Sequence, residues 1–92
     1  MLFGTKTAAE KRADFRKELA SGKLLQMPGA HEPIVARIVE EQGFDGIYIS
    51  GGALSAAMAM PDIGLTTLTE VTQRGRQIAR VTELPALIDL DT

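Results

Sequence analysis

The spacing of apolar positions changes several times along the chain, and each change predicts an element. Thr7 with Glu10 three residues later has the form of a capping box, in which each side chain satisfies a backbone N–H at a helix start. Phe15 and Leu19 follow on one face, and Gly22 supplies a left-handed stop, so a helix is expected over residues 8–20. The apolar run Leu24–Met27 ends at Pro28-Gly29 and reads as a buried strand over residues 24–27. From His31 to Gln42 the period turns helical, with Ile34, Val35, Ile38 and Val39 on one side and Gly43 as the stop.

A second strand is expected at residues 46–49, Gly-Ile-Tyr-Ile, apolar on both faces as in a parallel strand covered by helices. The small apolar stretch Ala53–Met60 predicts a short helix, and Pro61-Asp62-Ile63-Gly64 a loop. Thr67 and Glu70 form a second capping box, from which Leu68, Val71, Gly75, Ile78 and Thr82 trace a helical stripe. Gly75 costs about 1 kcal/mol against alanine in a helix interior, and its place on the inward stripe implies close packing on a sheet. Pro85 can open a third strand over residues 86–90, where its missing N–H does little harm.

The order is helix, then β-α-β-α-β with short connections, the pattern of a parallel α/β sheet with right-handed crossovers. The third strand has no following helix and the sheet has open edges, so the expectation is one partial domain over residues 1–92.

Composition narrows the function. A net charge of −2, with acids and bases interleaved along residues 10–18, gives no reason to expect nucleic acid or an anionic membrane as partner. With no cysteine, neither a disulfide nor a thiolate metal site is available. No run of 18 apolar residues and no apolar leader occurs near Met1, so a cytoplasmic protein is expected.

Candidate chemistry gathers at the ends of the second and third strands, where parallel α/β folds build their sites. Asp89 and Asp91 lie two apart and share a face. They either contact solvent or grip a hard cation such as Mg²⁺, which takes one or two carboxylates together with water and substrate oxygens. Tyr48 and Ser50 share a face by the same alternation. Gly51 and Gly52, lacking Cβ atoms, either form a tight turn or let backbone N–H groups approach an anion. Asp62 is either a turn former or a carboxylate on a mobile gate.

Four segments in order, Pro28-Gly29-Ala30-His31, Tyr48-Ile49-Ser50-Gly51-Gly52, Pro61-Asp62-Ile63-Gly64 and Ile88-Asp89-Leu90-Asp91-Thr92, resemble the isocitrate lyase and phosphoenolpyruvate mutase superfamily. The Ser-Gly-Gly and Pro-Asp-Ile-Gly forms look most like its 2-methylisocitrate lyases. The resemblance implies a (β/α)₈ TIM-type barrel, of which this chain is the N-terminal portion, about three βα units, and a homo-oligomer. It implies Mg²⁺ on Asp89 and Asp91, substrate oxygens on Ser50, Gly51 and Gly52, Tyr48 beside the substrate, and Asp62 on a catalytic gating loop.

The implied reaction cleaves 2-methylisocitrate, a 2-hydroxy acid, to pyruvate and succinate. The family's Lys-Cys-Gly-His catalytic loop is not among these 92 residues, so the isolated chain is expected to be inactive. A phosphoenolpyruvate mutase-like or oxaloacetate hydrolase-like activity, or a non-catalytic assembly role, are the alternative readings.

Overall fold

A computed structural model describes residues 2–90. The elements run α1 (Ala8–Ala20), α2 (Pro33–Glu41), β1 (Ile47–Ile49), α3 (Gly51–Ala57), α4 (Leu68–Ala79) and β2 (Ala86–Ile88). β1 and β2 pair in parallel, with Ile47 opposite Ala86, Tyr48 opposite Leu87 and Ile49 opposite Ile88. The connection between them, through α3 and α4, is a crossover of the kind parallel strands require.

The helix starts follow local chemistry. Thr7 opens α1 and Thr67 opens α4, each with both halves of a capping box formed. α2 begins differently: Glu32 makes no side-chain cap bond, and Pro33 occupies the first turn, where its missing N–H is no loss. Gly22 and Gly43 close their helices at φ 77° and 84°, a region open to glycine without a Cβ clash. Removing one cap should be measurable. Thr67→Ala is expected to destabilise the fold by about 0.5–2 kcal/mol, read from the urea midpoint, because the Glu70 backbone N–H loses its acceptor, the Thr67 hydroxyl oxygen.

Three expectations need correction. No strand forms over residues 24–27. That segment is extended, and pairing is displaced downstream to a single parallel bridge between Gly29 and Tyr48. The bonds there are Tyr48 N–H to the Pro28 carbonyl and Ala30 N–H to the Tyr48 carbonyl, both 2.9 Å. Pro28 itself has no N–H to offer a ladder, which limits regular pairing through that point. The strands at 46–49 and 86–90 are shorter than expected, Ile47–Ile49 and Ala86–Ile88. The short helix begins at Gly51 rather than Ala53, so both glycines lie in its first turn.

The core sits between the sheet and one layer of helices. Ile47 and Ile78 are fully buried, Ile49 is 1% exposed, and Ala36, Val39, Leu54 and Val71 complete the cluster. Gly75 meets the sheet closely: a Cβ there would lie 2.6 Å from Ile88 Cδ1. The Thr82 hydroxyl, 1% exposed at the end of the α4 stripe, donates to Glu40 Oε1 at 2.5 Å and ties α2 to the α4–β2 connection.

Much apolar surface stays uncovered. α1 buries no residue, and its Leu19 is 59% exposed. Ile34 and Ile38 of α2, Leu68 at the head of α4 and Leu87 on the second face of the sheet are also exposed. No helix among the described residues is long and apolar enough to cross a membrane.

Candidate functional site at the carboxyl end of the sheet

Strand alternation separates two faces. Ile47, Ile49 and Ile88 turn toward the helices, which leaves Tyr48, Ser50, Leu87 and Asp89 on the other side. The ladder continues one step past β2, where Asp89 N–H donates to the Ile49 carbonyl at 3.0 Å. This bond sets Asp89 beside the Ser50-Gly51-Gly52 turn.

Ser50 caps α3. Its Oγ accepts from Ala53 N–H at 3.3 Å, which leaves the hydroxyl proton for an acceptor outside the helix. Gly51 N–H donates to Asp89 Oδ2 at 3.3 Å. The two groups are so close that a Cβ on Gly51 would lie 3.0 Å from that oxygen. Gly52 has the same relation to Asp62, whose Oδ2 would lie 3.2 Å from a Cβ built there. Two successive glycines thus each face one carboxylate, and any side chain at either position would crowd it.

Asp62 belongs to the exposed turn at 62–64 that follows α3, closed by Gly64 at φ 78°. Tyr48 is half-buried in the middle of β1, two residues before Ser50 on the same face. A cleft of about 80 Å³ opens beside Asp89, lined by Gly51, Thr66, Thr67, Leu68, Val71 and Leu90. The structure therefore brings Ser50, Gly51, Gly52, Asp62 and Asp89 to one end of the sheet, with Tyr48 on the face leading to it. Asp91 lies outside the described residues. Thr66 and the α4 N-terminus border the same cleft and were not among the candidates. Their sequence signal, a capping box, speaks only of helix initiation.

A hard divalent cation fits the donor chemistry of this rim. Carboxylate oxygens are the ligands Mg²⁺ selects, and it keeps several waters, so one strand-end carboxylate is enough to begin a site. No group of three His, Cys, Asp or Glu side chains placed to hold a metal ion occurs among the described residues.

With this geometry in hand, comparison with known proteins becomes informative. The family model for phosphoenolpyruvate phosphomutase matches residues 15–92. The chain belongs to that family.

Among curated relatives, a protein of Corynebacterium glutamicum named probable 2-methylisocitrate lyase 2 is 53% identical over 92 residues, covering 99% of this chain and 30% of its own length. The 2-methylisocitrate lyase of Bacillus subtilis is 41% identical over 78 residues, 85% of this chain and 26% of that protein. Among solved structures, a phosphonopyruvate hydrolase in complex with oxalate and Mg²⁺ superposes with a TM-score of 0.85 at 38% identity, over 89% of this chain and 29% of that one. The α/β fold of the family member described here is thus the fold of the superfamily over this stretch. The chain spans about 30% of the length of the curated relatives it matches.

Proposed function

We propose that these residues form the N-terminal part of a (β/α)₈ barrel, about three βα units of one domain. In this reading the intact protein is a Mg²⁺-dependent carbon–carbon lyase that cleaves 2-methylisocitrate to pyruvate and succinate. The observation that carries the reading is the pairing of Asp89 with Gly51 and of Asp62 with Gly52 at the carboxyl end of the sheet. The 2-methylisocitrate lyases among the relatives, one of them 53% identical, favour this substrate.

In this mechanism the pyruvate end of the substrate lies against the turn. The Ser50 hydroxyl donates to its carboxylate, and the backbone at Gly51 and Gly52 admits it without a Cβ in the way. Tyr48 borders the substrate from the same face. Asp89, with Asp91, would hold Mg²⁺, which when bound would stabilise the negative charge that develops on the substrate. Asp62 closes over the rim from its turn.

In the reaction, a base takes the proton of the C2 hydroxyl and the C2–C3 bond breaks, so that C2 becomes the keto carbon of pyruvate. The electron pair passes to C3 and its carboxylate, and an acid returns a proton there to give succinate. In lyases with the Lys-Cys-Gly-His loop a cysteine serves the last step, and residues 1–92 contain none.

The intact protein is expected to release pyruvate and succinate in equal amounts from 2-methylisocitrate, and chelation of Mg²⁺ to abolish it. The purified 92-residue chain should give no pyruvate under the same conditions. Turnover by the short chain, or none by the intact protein, contradicts the proposal. A second reading is favoured by the match to a phosphonopyruvate hydrolase. In that case phosphonopyruvate, not 2-methylisocitrate, would yield the pyruvate. Either substrate is a small 2-hydroxy or keto acid, and a homo-oligomer is proposed in both readings.

A further inference from the structure

The first twenty residues are attached to the core in an unusual way. α1 has no fully buried residue, and its Phe15 is half-buried in a cleft with Ala79, Pro85 and Ala86. Polar bonds add to this contact, and three from the residues before the helix meet at one carboxylate. Glu83, in the α4–β2 connection, accepts from the Thr5 backbone N–H, from Thr5 Oγ1 at 3.0 Å and from Lys6 N–H at 3.3 Å. The backbone of Glu83 is itself pinned, its N–H donating to Glu40 Oε1 at 2.6 Å.

Smaller contacts flank this point. Gly4 N–H donates to the Arg80 carbonyl at 2.8 Å, and a Cβ on Gly4 would come within 2.8 Å of the Thr82 carbonyl oxygen. Phe3 lies under the Arg80 guanidinium at 4.7 Å, and Lys11 Nζ donates to the Ala79 carbonyl at 2.7 Å. Farther along, Lys23 pairs with Asp45 at 2.7 Å. The segment forms one wall of a cleft of about 420 Å³, whose other walls include Arg37, Glu40, Val81 and Glu83.

We infer that residues 2–20 form a strap latched by the Glu83 carboxylate, able to leave the core as a unit while β1, β2 and α4 stay folded. Three donors on one acceptor group, beside a helix whose main apolar contact is the half-buried Phe15, make the latch the point at which release begins. Release opens the cleft beside Glu40.

The charged groups around Glu83 are Lys6, Lys11, Asp14, Lys17 and Glu18 from the strap side, Glu40 and Glu41 with Arg37 from α2, and Asp45 before β1. Desolvation pushes the Glu83 carboxyl upward, but the Thr5 and Lys6 hydrogen bonds together with the Lys11 charge outweigh it and hold it below the ordinary glutamate range. A depressed carboxyl stabilises the closed form above its unfolded pKa and loses that contribution as pH falls through the folded value. At neutral pH the ionised carboxylate therefore contributes fully to the latch, and that contribution weakens on acidification.

Hydrogen exchange of the intact protein at neutral pH tests the latch. In Glu83→Gln the side chain keeps its shape, but the charge is lost and only one oxygen remains to accept from Thr5 and Lys6. Exchange over residues 4–20 is expected to rise tenfold or more, while the amides of Ile47–Ile49 and Val71–Ile78 keep their protection. Thr5→Ala, a change at an exposed position that removes one donor, should give a smaller rise confined to the same segment. It decides the matter if Glu83→Gln fails to fold. Unchanged exchange in the strap, or strap and core accelerating together, overturns the inference.

Discussion

Replacing Asp89 by alanine in the intact protein is expected to lower kcat for 2-methylisocitrate cleavage by about a thousandfold or more, with the fold retained. The magnitude follows from the proposed role. Loss of a single preorganised group that stabilises developing charge costs about 10²–10³ in rate, and here a metal ligand would go with it. The stability effect is small by comparison. Asp89 is partly exposed at a strand end, and its backbone bond to Ile49 survives the change. Steady-state kinetics beside a melting curve separate the two effects. A variant that melts as the wild type and keeps within tenfold of its kcat would contradict the role.

The second large effect concerns the scaffold. Ile47 is fully buried at the start of β1, opposite Ala86 and within the cluster that joins Val39 and Ile78. Ile47→Ala removes three carbons there and leaves a void that neighbours on a short strand can fill only in part. A loss of about 2–5 kcal/mol is expected, comparable to much of a small domain's total stability. Denaturant unfolding should show a large drop in midpoint. Because β1 carries Ser50 and positions Asp89 through the Ile49 carbonyl, substrate binding should weaken along with stability. A shift under 1 kcal/mol would mean that the core lies elsewhere.

Parts of this architecture were legible in the sequence because they rest on local rules. Thr7/Glu10 and Thr67/Glu70 need only their own backbone to form capping boxes, and both helices start where those pairs occur. The stripe Val71, Gly75, Ile78 is inward because its spacing matches the helical period, and Gly75 does meet Ile88. The parallel pairing of the strands on either side of α3 and α4 was likewise readable from the alternation of elements.

The misreadings have physical causes as well. The apolar run at 24–27 looks like a strand, but pairing to β1 begins only beyond Pro28, and Leu24 is left 82% exposed. Apolarity alone does not fix register. Phe15 and Leu19 suggested a packed face on α1, whereas Phe15 is only half-buried, Leu19 is exposed, and the helix is tied to the core by the Lys11 bond to the Ala79 carbonyl. Leu68 begins the α4 stripe yet is 67% exposed, since the first turn reaches past the end of the sheet.

At the rim, alternation paired Tyr48 with Ser50 and Asp89 with Asp91, but no sequence rule announced that Asp89 leans on Gly51 and Asp62 on Gly52. Those contacts span 38 and 10 residues and depend on how the crossover returns.

Calorimetric titration of pyruvate into the intact protein tests the central claim most directly, namely that the Ser50–Gly52 turn and Asp89 act as one site for a metal-assisted 2-keto acid. Pyruvate should bind only when Mg²⁺ is present, and Asp89→Asn should weaken that binding at least tenfold while Thr7→Ala, which removes a helix cap outside the site, leaves it unchanged. Equal pyruvate affinity in the wild type and Asp89→Asn, with or without Mg²⁺, would contradict it.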